Sequence, residues 1–316
     1  MNRNPALLAA RVRVIGACVC LVFWCSCTTT PNWDADASIP PPLPAETSLN
    51  KGAGRGDQIR VTLHLKIGQE IPVMVDTGAP DTILDKSLNP ELGIRLGTKQ
   101  HKFLAIKKVT AATYKAPELY LGGTQLRIGK RVSTIDRNGD AAILGMDCLQ
   151  HYCIQLDFAA GRLRFLDPDH LKTEELGQAF PITVSPWTGH VFMREDFMGA
   201  KGVKWMIDTG LNIDGVLKRK LFKQALRAQH ITAAQAESNG AKGLWALFPE
   251  TEFRGQRYTN LMIGEMPRNA PLPPNLIGLQ FLARHLVTFN FPKRIMYLKR
   301  TSVGPLAVEG NSGNAR

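Results

Sequence analysis

Asp76-Thr77-Gly78 and Asp208-Thr209-Gly210 are the two places where residue type and repetition together point to chemistry. A chance Asp-Thr-Gly is expected in roughly 0.06 of chains this long, so one copy is weak evidence and two are informative. Two aspartates brought close together cannot both ionise comfortably; they share a proton and titrate with split apparent values. Such a pair offers an acid and a base at once. The ionised member can activate a water towards a peptide carbonyl, while the protonated member supports the oxyanion and then protonates the leaving nitrogen. This chemistry needs no metal and no cofactor. Gly78 and Gly210 permit a sharp turn and close backbone approach, which frees N–H groups to bind the carboxylates.

The elements that must position these triplets are themselves duplicated. An apolar run precedes each, residues 71–75 before Asp76 and 203–207 before Asp208, and the offset between the triplets is 132. Downstream, Ile143-Leu144-Gly145, Leu149 and residues 154–158 match Leu276-Ile277-Gly278, Leu282 and residues 287–291 at an offset of 133. Each copy closes on an alternating stretch, Leu163-Arg164-Phe165 and Ile295-Met296-Tyr297-Leu298, which reads as a strand. Residues 61–75, with a turn at Gly68, and 191–207, with Gly199 and Gly202, predict hairpins that leave both triplets at strand ends. The expected layout is a first lobe over 55–167, a charged linker over 168–182, a second lobe over 183–300 and a disordered tail over 301–316. Residues 28–54 read as a Pro-rich tether. One amphipathic helix is expected within 217–230, and short helices after Gly145 and Gly278.

These triplets, with Ala79 after the first and Ile143-Leu144-Gly145-Met146-Asp147 downstream, resemble the retropepsin-like and pepsin-like aspartic proteases. The resemblance covers about 240 of the 316 residues. It implies a mainly β fold of two homologous β-barrel lobes about a pseudo-twofold axis, with Asp76 and Asp208 meeting there as the catalytic pair. It further implies that Thr77 and Thr209 tie the two loops together beside Gly78 and Gly210, and that an extended peptide or protein is the substrate. The implied activity is that of an aspartic endopeptidase working as a monomer with an internal pseudo-dimer. Leu211 departs from the small residue usual after the triplet. That departure, together with the basic surface, motivates the alternative, an inactive envelope lipoprotein that binds peptides or serves as a scaffold on the same fold. Tyr114 and Trp245, 38 and 37 residues after their aspartates, are the candidate flap aromatics.

The N-terminus reads as an address. Arg3, Arg11 and Arg13 precede an uncharged run over 14–24, the order of an export signal over 1–27. At about eleven residues the run is short of the roughly 20 needed for a spanning helix. Ser26-Cys27 fits a bacterial lipoprotein signal with lipidation at Cys27, and ordinary secretion or an uncleaved anchor remain open. Ile15-Gly16-Ala17-Cys18 matches the local pattern better but leaves almost no apolar region before it. The expected location is the periplasm or the envelope membrane, with attachment through that lipid. Four of the six cysteines lie in this signal, so Cys148 and Cys153 read as small buried hydrophobes rather than a disulfide.

The chain carries a net charge of +12; without residues 1–26, 36 basic residues still face 27 acidic ones. Basic character alone does not make a nucleic-acid binder, and with no recognised module none is expected. No His-Glu-x-x-His, Gly-x-Ser-x-Gly or Gly-Lys-Ser/Thr pattern is present, which argues against metalloproteases, serine hydrolases and P-loop nucleotidases. Asp147 reads as a helix-start or surface residue outside the catalytic set.

Overall fold

The computed structural model describes residues 42–103, 107–137, 140–238, 241–267 and 275–307. The expected signal over 1–27 with Cys27, the first part of the tether and the last residues of the tail lie outside them. Alternating burial along Arg60–Leu65 and Val191–Phe197 shows why these segments are strands: every second side chain enters the core.

In the first half the strands are β1 (Thr47–Ser48), β2 (Arg60–Leu65), β3 (Glu70–Val75), β4 (Ile83–Asp85), β5 (Arg95–Phe103) and β6 (Lys107–Lys115). They are followed by β7 (Leu119–Leu121), β8 (Thr124–Gln125), β9 (Arg131–Ile135), β10 (Ala142–Leu144), β11 (Cys153–Asp157) and β12 (Arg162–Leu166), with helix α1 (Met146–Leu149) after β10. The second half contains β13 (Gln178–Pro181), β14 (Thr183–Val184), β15 (Val191–Phe197), β16 (Ala200–Asp208), β17 (Gly215–Leu217) and β18 (Ala234–Ser238). Then come β19 (Ala241–Phe253), β20 (Gln256–Glu265), β21 (Asn275–Gly278), β22 (His285–Asn290) and β23 (Ile295–Arg300). Helix α2 (Arg219–Ala228) lies inside the stretch expected to be amphipathic, and α3 (Leu279–Leu282) follows Gly278 as α1 follows Gly145.

Three sheets result. One runs β5-β6-β9-β4-β10-β3-β2-β7-β8, and another β14-β15-β16-β21-β17-β20-β19-β18. Read from the inner hairpin outwards, β2-β3-β10-β4-β9-β6-β5 and β15-β16-β21-β17-β20-β19-β18 have the same order. They also share the same pattern of parallel and antiparallel pairing. The fold is mainly β with two barrel-like lobes, as the family resemblance implied.

The third sheet joins the lobes in the order β1-β12-β11-β22-β23-β13. Its central pair is antiparallel, and its register puts Gln155 opposite Thr288, its own counterpart 133 positions later. Cys153 faces Asn290 and Asp157 faces Leu286, so equivalent residues exchange partners about that point. The pseudo-twofold axis therefore passes through this pair, where Gln155 Nε2 donates to Thr288 Oγ1 at 3.0 Å.

Three segments read as linker or tail take part in the structure. Within the expected tether, β1 pairs with β12, and Leu49 and Ala53 are buried. Within the expected linker, β13 pairs with β23 and buries Phe180. In the expected tail, Thr301 and Ser302 donate their amides to the Arg284 carbonyl, and the Val303 carbonyl accepts from the Arg284 guanidinium at 3.0 Å. These short stretches have too little periodicity to be recognised alone; they are strands or ordered coil because an existing edge or a buried cation offers partners.

Candidate active site

Asp76 follows β3 and Asp208 ends β16, the strands that pair in parallel with β10 and β21. Backbone hydrogen bonding on both sides holds each triplet rigidly at the lobe interface. There the threonines interlock. The Thr77 amide donates to Thr209 Oγ1 at 2.9 Å and the Thr209 amide to Thr77 Oγ1 at 3.1 Å. Each hydroxyl donates in turn to the carbonyl preceding the opposite aspartate, Thr77 to Ile207 at 2.9 Å and Thr209 to Val75 at 2.8 Å. Both threonines are fully buried, so losing one partner would strand polar groups out of reach of water.

The glycines set the approach of the acids. The Gly78 amide donates to Asp76 Oδ1 at 2.7 Å and the Gly210 amide to Asp208 Oδ1 at 3.0 Å. A Cβ on Gly78 would lie 2.4 Å from Asp208 Oδ1, and one on Gly210 2.5 Å from Asp76 Oδ2. Each carboxyl thus rests on the glycine of the other lobe. Gly145 and Gly278 are needed for the same reason one layer back. A Cβ there would come within 2.5 Å of the Asp81 backbone and 2.2 Å of the Ile213 carbonyl oxygen.

The two carboxyls hydrogen-bond each other. Burial pushes the Asp76 pKa up, while donors from Gly78 and from Asp208 pull part of it back. Burial and then the Asp76 charge drive Asp208 well above the usual carboxylate range. One proton is therefore shared by the two, giving an acid and a base in one pair.

Leu211 is buried beneath its turn with Phe192, Met206, Val216 and Leu276. Ala79, its counterpart, packs with Met74, Ile83, Ala111, Ile135 and Ile143. The larger residue is thus absorbed by an apolar cluster. Tyr114 is not a flap aromatic over the pair. It is buried in the main core, on the opposite face of β6 from the Ala111 that packs with Ala79. Trp245 is half-buried on β19 against Gly264, and its indole Nε1 has no hydrogen-bond partner.

Asp147 lies in the first turn of α1 but is no surface residue: Thr82 Oγ1 donates to its Oδ1 at 2.7 Å and its Oδ2 is buried without a partner. Burial, with the Asp81 charge adding to it, pushes its pKa up to about 7. Cys148 and Cys153 are free and buried, and burial raises the Cys153 thiol to about 12.

Sequence reasoning did not single out His190. It stands 18 residues before Asp208, as Gln58 does before Asp76. The backbone of Gly78, in the opposite lobe, faces its ring. No local signal marks such a contact, because it exists only once the lobes meet.

Residues 61–151 match the model of the gag-polyprotein putative aspartyl protease family. No curated protein matches the chain. Among solved structures, basic 7S globulin from soybean is similar over 83% of this chain and 96% of its own, with a TM-score of 0.50 and 14% identity, a likeness of fold. The first lobe is thus similar by sequence to a retropepsin-like aspartyl protease family, and the two lobes together have a bilobal pepsin-like fold.

Proposed function

We propose that the chain is an aspartic endopeptidase whose single active site is shared between the lobes. The observation that carries this reading is the hydrogen-bonded Asp76–Asp208 pair, raised in pKa and held by reciprocal threonine contacts. Asp76, the ionised member, takes a proton from a water as that water attacks the peptide carbonyl. Asp208, the protonated member, donates to the developing oxyanion, and the proton gained by Asp76 passes to the leaving nitrogen. Atoms balance without a cofactor. The rate falls at high pH, when Asp208 loses its proton, and at low pH, when Asp76 gains one. The burial of Leu211 within its own apolar cluster is consistent with this reading.

The test is incubation of residues 42–316 with a mixed peptide library from pH 3 to 8, with and without a statine-type transition-state mimic, beside Asp76→Asn. Cleavage that the mimic inhibits and the substitution abolishes is expected. A folded sample that binds peptides without cutting them would establish the scaffold reading instead.

We also propose that the protein is exported to the bacterial envelope and works as a monomer, in the periplasm or anchored through a lipid on Cys27. Arg3, Arg11 and Arg13 ahead of the apolar run support export. The mass of the mature N-terminal peptide distinguishes a lipidated Cys27 from an unmodified downstream terminus.

A further inference from the structure

The seven-strand frame is symmetric, but the segments that lead into β2 and β15 are not. Val75 donates its amide to Ile59 where Ile207 pairs with Val191, so residues 53–58 correspond to 185–190 at the offset of 132. Each segment reaches across to the other lobe's triplet turn. Asn212 Nδ2 donates to the Gly56 carbonyl, and a Cβ on Gly189 would sit 2.9 Å from Pro80 Cβ. Pro80 and Asn212 are themselves counterparts, so the two crossings are equivalent in place. Their chemistry differs. The first segment offers Arg55 and Gln58 at the positions where the second offers Trp187 and His190.

The second segment is ordered by its own turn. Thr188 donates its amide to Ser185 Oγ at 3.2 Å, Gly189 donates to the Ser185 carbonyl at 2.8 Å, and Ser185 donates to the His190 carbonyl at 2.9 Å. Trp187 projects into solvent, 85% exposed. The His190 ring packs edge-on against Phe192 with centroids 6.3 Å apart, and Lys204 covers that phenyl ring with Nζ 3.7 Å from its centroid. On its remaining side the imidazole faces the Gly78 backbone, two residues after Asp76. That contact favours the protonated ring. Burial works in the other direction and holds the ring neutral at pH 7. Lys204 lies behind Phe192, Asp76 is two residues before the facing Gly78, and among the described residues no carboxylate forms an ion pair with the ring.

We propose that His190 is a specificity-determining residue that receives an acidic side chain of a peptide bound beside Asp76, with no equivalent on the Gln58 side. The inference rests on the peptide-cleaving reading of the site and deepens it. The ring lies against the Gly78 backbone. A carboxylate reaching one of its nitrogens forms a charge-assisted hydrogen bond and stabilises the imidazolium, so binding takes up a proton. Preference for the acidic peptide grows as the pH falls from 7 towards 5, where Glu is still ionised and the imidazole is drawn into its charged form.

The experiment reads binding rather than cleavage, so that loss of hydrolysis tells against the endopeptidase reading alone. Fluorescent statine-centred octapeptides that differ only in Glu against Gln at a single position are titrated with the full chain between pH 7.5 and 5. At one position Glu is expected to bind about tenfold more tightly than Gln at pH 5, with the ratio approaching one at pH 7.5. His190→Gln brings the ratio to one throughout, and His190→Lys retains a preference at pH 7.5. A preference that survives in His190→Gln, no acidic preference at any position, or no binding by protein whose circular dichroism shows it folded would each overturn the proposal.

Discussion

The two lobes share a backbone frame and differ in what fills it. In the first lobe Thr82 Oγ1 donates to Asp147, and in the second the counterpart positions hold Asp214 and Gln280. The acid has moved from helix α1 to the residue before β17, and its partner has changed with it. Arg284, fully buried, approaches Asp214 at 2.8 Å as a charge contact without hydrogen-bond alignment. Its guanidinium also donates to the carbonyls of Thr259, Asn260 and Val303. Burial raises Asp214 to about 6 against the opposing pull of that cation.

Volume has been exchanged in the same way. Thr113 pairs with Ser133, whose Oγ meets His101 Nε2 at 2.8 Å, where the second lobe places Trp245 over Gly264. Two residues earlier, Ala111 beside Ala79 has become Gly243 while Ala79 has become Leu211. Groups that set where the backbones run must recur in both halves. Groups that only fill space or balance charge can diverge if a neighbour compensates.

The comparison can be broken most severely at the site itself. Asp76→Asn and Asp208→Asn should each lower kcat/KM by at least a thousandfold, roughly 4 kcal/mol, because neither acid can serve both roles. Half activity in either variant would mean that the lobes do not share one site.

Next in size is Arg284→Met, expected to cost about 3–5 kcal/mol in urea unfolding by leaving Asp214 buried and unpaired. Removing the acid as well, in Asp214→Asn with Arg284→Met, should recover part of that loss. If the double variant is no more stable than the single one, the charge pairing is not what distinguishes this lobe.

Exchanging the residue after each triplet sharpens the volume argument. Leu211→Ala should cost about 2–4 kcal/mol through the cavity it leaves. Ala79→Leu should cost about 1–3 kcal/mol by overpacking against Ala111. Equal tolerance at both positions would refute the compensation.

The smallest effect concerns pH. Asp147 holds its proton more tightly folded than unfolded, so its contribution is complete below the usual carboxylate range. It is lost as the pH rises through about 7. Asp147→Asn should therefore gain on the wild type between pH 5 and pH 8 by on the order of 2 kcal/mol, read from urea midpoints. A constant difference across that range would show that Asp147 is not titrating.

The duplicated triplets and the Ile-Leu-Gly and Leu-Ile-Gly stretches made the mainly β fold legible, since those residues are constrained locally by strand periodicity and backbone approach. The contact between the two acids was implied only through family resemblance. Nothing in the sequence indicated that Tyr114 faces the core or that Asp147 is covered, because the face a strand or short helix turns inward depends on what packs against it.

The sequence alone determined that the body is two copies of one unit, each with an aspartate at the end of an apolar strand; composition and spacing suffice for that. Tertiary structure decided which residues meet across the axis: Thr77 with Thr209, Gln155 with Thr288, Gly78 under Asp208 and His190 against the Gly78 turn. Such contacts join residues more than a hundred positions apart. They depend on how two folded lobes dock, and neither lobe's own pattern encodes that.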